Sequence, residues 1–284
     1  MKFSLIMATL GRYEEIKLFL DSLANQTYKD FELIIIDQNG NDKIEKLCQS
    51  YLMNIRLIKN VVKGLSVNRN IGLKYISGDI TAFPDDDCVY SNDTLEKVSR
   101  FFNDNPEYTF YTCNTKEKLS DLSILSNKLC DTGISLGNIM SAGISFTIFV
   151  RTEKIKEFKF DEQLGIGSEF GSGEESDLLL YLLKNKHKGK YHSSDYIFHP
   201  FKPETVEKAY QYGKGYGAIH KKAVIVYGFY RFFIYFLITI LREIKNMFIY
   251  PYSAERVSAI RGRIYGFFHY RLKRLYCVKS SNQR

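Results

Sequence analysis

The sequence is poor in the residues that staple or coordinate small folds. Its 284 residues include five cysteines, at 48, 88, 113, 130 and 277, an odd number with no CxxC spacing among them. That argues against a disulfide framework or a cysteine-built zinc site, and for reduced thiols in a cytosolic protein. No segment repeats with a period of roughly 20–50 residues, which excludes solenoids and propellers, and no low-complexity tract occurs. The N-terminus, MKFSLIMATLGR, lacks the long apolar region and small-residue cleavage site of a signal peptide, so the N-terminal part is expected in the cytoplasm. Acid is scarce in one region only. Residues 1–200 hold 24 Lys+Arg and 28 Asp+Glu, a net −4, whereas 201–284 hold 16 and 4, a net +12. The whole excess of +8 is therefore C-terminal, a distribution suited to nucleic acid or to an anionic membrane surface.

What is present is globular: 45% of residues are hydrophobic and 25% charged, enough for one large core or one core plus an appendage. Residues 2–8 read as a buried strand, Glu14–Asn25 as a helix, and 31–37 (FELIIID) as a near-continuous apolar strand covered on both faces. A helix over 42–52, a strand over Ile55–Lys59, a short helix over Asn68–Ile76 and a strand over Ile80–Pro84 follow. This βαβαβαβ alternation predicts an α/β fold with a doubly wound, mostly parallel sheet. Further on, the spacing predicts a helix over Asn92–Asn103, strands over Thr109–Cys113 and Gly143–Arg151, a helix opened by the acids at 174–177, and a last short strand over 195–200. In such sheets ligands bind beyond the carboxyl ends of the strands. Thr9 to Arg12, Asp37 to Asn39 and Asp85 to Asp87 all fall at predicted strand ends.

Residues 223–241 (AVIVYGFYRFFIYFLITIL) form a 19-residue apolar and aromatic run broken only by Arg231. A central Arg costs about 2.5–3.5 kcal/mol in a membrane span, so the run is marginal as one. Three readings stand: a helix lying in the membrane interface, a buried helix pair or oligomer contact, and a span. Residues 256–274 add six lysines and arginines and one histidine among aromatics, which suits anionic headgroups.

Three adjacent carboxylates after a buried strand repel one another and need a counter-charge. A hard divalent cation such as Mg²⁺ or Mn²⁺, completed by substrate phosphates, supplies it; the bland reading is an acidic turn before the next helix. Asp37 at a strand end suits a nucleoside's base or ribose, or merely a turn. Glu174, Glu175 and Asp177 open a helix, where the dipole favours acids, or supply a general base. The loop before them, LGIGSEFGSG, suits movement around a bound substrate. His199, after a predicted strand, is a candidate metal ligand.

The stretches S-L-I-M-A-T-L-G-R, L-x-S-L-x-x-Q-T-Y-x-D-F-E-L-I-I-I-D-Q-N (20–39), G-L-S-V-N-R-N-I-G-L (64–73) and G-D-I-T-A-F-P-D-D-D-C (78–88), in that order, resemble the family 2 glycosyltransferases of the GT-A fold. G-S-G-E-E-S-D-L-L-L resembles that family's base motif. The resemblance covers about residues 1–200, and 196–222 are similar to the region after the catalytic domain in bacterial surface-polysaccharide members. It implies a catalytic domain over 1–200, with a nucleotide-binding half (1–90) and an acceptor-binding half (91–200). A basic, aromatic, helical, membrane-associating extension covers 201–284. It implies that Thr9, Arg12 and Asp37 hold base and ribose and that Arg69 lines the nucleotide pocket. Asp85 and Asp87 are the Asp-x-Asp pair, with Asp87 the direct metal ligand and Asp86 near the ribose. Glu175 matches the base position, with Glu174 and Asp177 as rivals. Gln38 and Gly40 depart from the frequent Asp-Asp-Gly-Ser turn, leaving the nucleotide's base open. The implied activity is metal-dependent, inverting transfer from a nucleotide-diphosphate sugar to a lipid-linked saccharide in surface polysaccharide assembly, such as capsule or O-antigen, at the inner face of the cell membrane. The competing readings are a nucleotidyltransferase, which lacks its Gly-rich phosphate loop here, a nucleic-acid binder, which the acidic rim opposes, and a non-catalytic relative.

Overall fold

A computed structural model describes residues 1–117, 130–249 and 252–272. The chain divides into two compact units, Met1–Glu204 and Thr205–Arg284. In the first unit, strands β1 (Phe3–Thr9), β2 (Phe31–Asp37), β3 (Ile55–Lys59) and β4 (Ile80–Ala82) alternate with helices α1 (Glu14–Ala24), α2 (Lys43–Cys48) and α3 (Leu65–Gly72). Helix α4 (Thr94–Asp104), β5 (Phe110–Lys116), β6 (Thr132–Gly133), β7 (Ile148–Arg151), α5 (Glu174–Lys184) and β8 (Gly189–Phe198) complete it. The eight strands form one sheet in the order β3-β2-β1-β4-β7-β5-β8-β6.

β1 pairs in parallel with β2 and β4, β2 with β3, and β5 with β8. The pairs around β7 and the short β6–β8 pair are antiparallel. β2 is buried along its length and apolar apart from Glu32 and Asp37, because both of its faces are covered. Phe3, Leu5 and Met7 of β1 and Leu33 and Ile35 of β2 pack with Ile16, Phe19, Leu20 and Leu23 of α1 and with Leu95, Val98 and Phe102 of α4. On the opposite face α3 lies against β1 and β2, and Gly72 is close enough to the Ile6 side chain that a Cβ there would overlap it.

Several expected boundaries move. β4 stops at Ala82, two residues early. The short helix starts at Leu65 rather than Asn68 and ends in a 3₁₀ turn over Leu73–Tyr75. The expected strand Gly143–Arg151 is a 3₁₀ turn at Ser145–Thr147 followed by the four residues of β7. The expected 195–200 strand is the end of the ten-residue β8. Cys48, Cys88, Cys113 and Cys130 are free thiols, and Cys277 lies outside the described residues.

The second unit holds α6 (Val206–Ile225), α7 (Arg231–Ile249) and α8 (Ala254–His269). The apolar run 223–241 is not one helix. It is cut between α6 and α7, where Gly228 takes a left-handed φ of 72°, a conformation that side chains bearing a Cβ resist. Among the described residues no helix is long and apolar enough to cross a membrane, so the spanning reading is set aside. α6 and α8 run side by side with glycines at the crossing. A Cβ at Gly213 would meet the Ala259 carbonyl, one at Gly217 the Arg263 carbonyl, and one at Gly266 the Lys214 carbonyl. α7 turns Phe232, Phe236 and Thr239 inward: Phe236 stacks on Phe267 of α8 at 4.3 Å, and Thr239 bonds Tyr216 of α6 at 3.0 Å.

Candidate functional site

The carboxyl ends of β1, β2 and β4 bring three polar turns to one rim. Thr9 and Asp37 are register partners at the ends of β1 and β2, both buried. Asp37 Oδ1 accepts the Asn39 backbone N–H at 2.9 Å and the Asn39 side-chain amide at 2.7 Å. Asn39 Oδ1 in turn accepts the Gly11 N–H at 2.8 Å and the Tyr13 hydroxyl at 3.3 Å. The turns after β1 and β2 are thereby locked together. Asp37 Oδ2 is buried with no hydrogen-bond partner among the described residues. A buried acceptor left unpaired costs about 1–3 kcal/mol, so this oxygen is a place for a ligand donor.

The three aspartates after β4 have three different surroundings. Arg12 Nη1 sits 2.7 Å from both Asp86 Oδ1 and Asp87 Oδ2. Burial pushes Asp86 up to about 6, against the pull of Arg12. Asp85 is also pushed up by burial, with Arg69 opposing. Asp87 goes the other way: burial would raise it, but His199, Lys202 and Arg12 together hold it below the usual carboxylate range. His199 Nε2 lies 3.1 Å from Asp87 Oδ1, and Lys202 Nζ contacts Oδ2. The imidazole is fixed by stacking on Phe146, with centroids 4.7 Å apart and rings 4° from parallel. Ser145 Oγ reaches Asp85 Oδ1 at 3.4 Å.

Arg69 joins this cluster to the acids of α5. It is 1% exposed, with its guanidinium 5.7 Å from the ring centres of Phe83 and Phe160. Nη2 bonds Asp85 Oδ1 and Nη1 bonds Glu174 Oε1, each at 3.1 Å. Gly173, at φ 96°, begins α5 in a left-handed conformation and sets Glu174, Glu175 and Asp177 into its first turn. Glu174 and Asp177 are buried; Glu175 is half-buried. Burial, and then the charge of Glu174, push the Glu175 carboxyl well above the carboxylate range. The Gly-rich loop is pinned to α3: Leu65 N–H donates to the Ile166 carbonyl at 2.9 Å and Ser66 Oγ to the Leu164 carbonyl at 2.6 Å.

Asp85, Asp87 and His199 offer ligand atoms that all lie within 4.8 Å of one another. Two carboxylate oxygens and one imidazole nitrogen at this spacing can hold a divalent cation. Of the residues singled out from sequence, Arg12, Asp86, Asp87 and His199 form one set of ion pairs and Arg69, Asp85 and Glu174 another, and the two meet where Asp85 comes within 4.8 Å of Asp87 and His199. Thr9 and Asp37 border it, and Glu175 and Asp177 stand in the same helical turn as Glu174. Sequence reasoning missed Lys202 and the supports Ser145 and Phe146, and placed Asn39 on the rim without a role. The only signal for Lys202 is its place in HPFKP, three residues beyond His199.

Comparison with known proteins agrees with this architecture. The family model for glycosyl transferase family 2 matches residues 4–161. The chain is 27% identical over 210 residues to the minor teichoic acid biosynthesis protein GgaB of Bacillus subtilis, covering 67% of this chain and 22% of that one. It is 26% identical over 215 residues to the GalNAc(5)-diNAcBac-PP-undecaprenol beta-1,3-glucosyltransferase of Campylobacter jejuni, covering 72% and 67%. The chain thus spans about a fifth of the first relative and two thirds of the second. Among solved structures, Staphylococcus aureus TarS 1–349 superposes with a TM-score of 0.63 at 20% identity, over 79% of this chain and 66% of that one. The mannosyltransferase PcManGT of Pyrobaculum calidifontis, solved with GDP-Man and Mn²⁺, gives 0.68 at 12% identity, over 94% and 87%. Both likenesses are of fold. With the family model covering more than half of its length, the chain belongs to glycosyl transferase family 2.

Proposed function

We propose that the protein is an inverting glycosyltransferase that moves a sugar from a nucleoside-diphosphate donor to a hydroxyl of a lipid-linked saccharide in bacterial surface polysaccharide assembly. The observation that carries this reading is the convergence of Asp85, Asp87 and His199 on the same carboxyl edge of the sheet as the unpaired oxygen of Asp37, the rim where such a sheet binds ligands. Asp37 Oδ2 accepts an N–H or O–H of the nucleoside, and Thr9 and Arg12 flank it. Asp86, paired with Arg12, borders the ribose. Asp85, Asp87 and His199 would hold the divalent cation, Mn²⁺ or Mg²⁺, which when bound would offset negative charge on the leaving diphosphate.

Glu175 is the base. Its raised proton affinity makes it a better acceptor than an ordinary carboxylate, at the cost of a smaller ionised fraction at neutral pH. The acceptor oxygen bonds to the anomeric carbon as its proton passes to Glu175. The bond from that carbon to the diphosphate oxygen breaks on the opposite face, and the nucleoside diphosphate leaves with the electron pair. Glu174 is held by Arg69 and is a weaker candidate for the same task. Arg69 fixes the distance between the acids that face the donor and those that face the acceptor.

A membrane-borne acceptor fits the second unit. α7 exposes Ile234, Leu237, Ile238, Leu241, Ile244 and Phe248 at helical spacing, with Arg231, Arg242 and Lys245 also exposed. Such a helix lies in the interface of an anionic bilayer. The relative from Campylobacter jejuni is named for an undecaprenol-linked substrate. The test is to incubate the full chain with UDP-, GDP- and dTDP-sugars and undecaprenyl-diphosphate-linked saccharides, with Mn²⁺ or with EDTA. Metal-dependent product from one donor supports the reading. Donor turnover that is equal in EDTA contradicts it.

A further inference from the structure

Asp87 has more partners than one carboxylate needs. Its Oδ1 takes His199, and its Oδ2 is shared by Arg12 at 2.7 Å and by Lys202. Yet Asp87 is also a member of the group able to hold a divalent cation. A doubly charged ion at this carboxylate repels an ammonium seated on it, so the two compete for the same charge.

Arg12 and Lys202 are not equally free to leave. Arg12 is anchored a second time, on Asp86 Oδ1 at 2.7 Å. Lys202 rides in the non-helical, non-strand segment 199–204, its side chain is 43% exposed, and among the described residues its ion pair is the one with Asp87. A lysine is a compact charge on a flexible four-carbon stem, so Lys202 can swing while Arg12 stays.

We propose that Lys202 is an internal stand-in for the divalent cation, seated on Asp87 until a cation takes that carboxylate and then passing to the diphosphate oxygens of the incoming nucleotide. The inference rests on the nucleoside-diphosphate reading of the site. It makes cation and nucleotide binding cooperative. A cation arriving alone must strip Lys202 of its partner, whereas a cation arriving with a diphosphate offers it a new one.

The test uses the full chain and its Lys202→Met and Lys202→Arg variants; Met keeps the stem and removes the charge. Calorimetric titration with Mn²⁺ alone is followed by titration, at saturating Mn²⁺, with whichever of UDP, GDP and dTDP the parent protein binds. In Lys202→Met, Mn²⁺ alone is expected to bind about fivefold tighter and the nucleotide about fivefold weaker, the scale of a partly exposed ion pair. Lys202→Arg is expected to move both constants back toward the parent. Mn²⁺ binding to Lys202→Met that is no tighter than to the parent overturns the stand-in role, and unchanged nucleotide affinity overturns the transfer to the diphosphate. If the parent itself binds neither Mn²⁺ nor any of the three nucleotides, the reading beneath the inference fails with it.

Discussion

Replacing Arg69 with methionine tests the logic of the site at a buried point. The guanidinium is 1% exposed and spans Asp85 and Glu174 at 3.1 Å each, between Phe83 and Phe160. Methionine fills much of the stem's volume but leaves one acid 7% exposed and another 27% exposed without their cation. Breaking a buried ion pair by removing one partner costs about 3–5 kcal/mol, most of it the penalty of the stranded charge. The open side of Asp85 lets water offset part of its share, so we expect about 3 kcal/mol for Arg69→Met by urea unfolding of the full chain. Adding Glu174→Gln removes the more buried of the stranded charges, and the double variant should recover stability relative to Arg69→Met alone. It should not recover nucleotide binding, because Asp85 still lacks its orienting partner. A loss below about 1 kcal/mol, the scale of an ordinary surface ion pair, refutes the claim that Arg69 organises the acids. A double variant no more stable than Arg69→Met refutes the stranded-charge explanation.

Glu175→Gln should keep donor affinity and lower transfer about 10²–10⁴-fold, while the parent's rate should fall with decreasing pH over a limb above the usual carboxylate range; transfer at the parent rate removes Glu175 from the mechanism. Burial depresses His220 to about 4, and its ring stacks on Tyr216 at 4.1 Å. The unfolded chain takes up that proton near 6.5 and the folded chain does not, so stability is full above about pH 6.5 and is lost as pH falls toward 4, by about 3 kcal/mol in all; unfolding of the parent and His220→Gln should show a steeper acid loss in the parent, and parallel curves count against this. Leu241 is 65% exposed on α7, so Leu241→Glu should leave folding intact and reduce sedimentation of the full chain with phosphatidylglycerol vesicles several-fold; undiminished sedimentation shows that α7 is not the contact.

The first four strands were legible because each obeys a simple rule. β2 is apolar but for Glu32 and Asp37 since helices cover both its faces, and β1 and β3 are set apart by helical segments. The rim followed from topology alone, since the polar turns at 9–12, 37–39 and 85–87 had to share the carboxyl edge of a parallel sheet. The region after α4 was harder. β7 is four residues long and runs against its neighbours, and β6 has two residues and no apolar pattern. The break at Gly228 was hidden inside an apolar run because hydropathy does not report a left-handed backbone. Contacts between distant segments were beyond any local pattern: Lys202 meets Asp87 across 115 positions and Arg69 meets Glu174 across 105. The assignment of Arg69 to the pocket came from its motif, but its role as the bridge to Glu174 needed three dimensions.

The measurement that bears most directly on the account is calorimetric binding of UDP, GDP and dTDP to the full chain and to Asp87→Asn, each with Mn²⁺ and with EDTA. Asp87 joins Asp85 and His199 in the one cation-holding group found among the described residues. The account predicts that one nucleotide binds the parent with Mn²⁺, and that its affinity drops by an order of magnitude or more both in EDTA and in Asp87→Asn. A nucleotide that binds the parent and Asp87→Asn equally, with or without Mn²⁺, would contradict it.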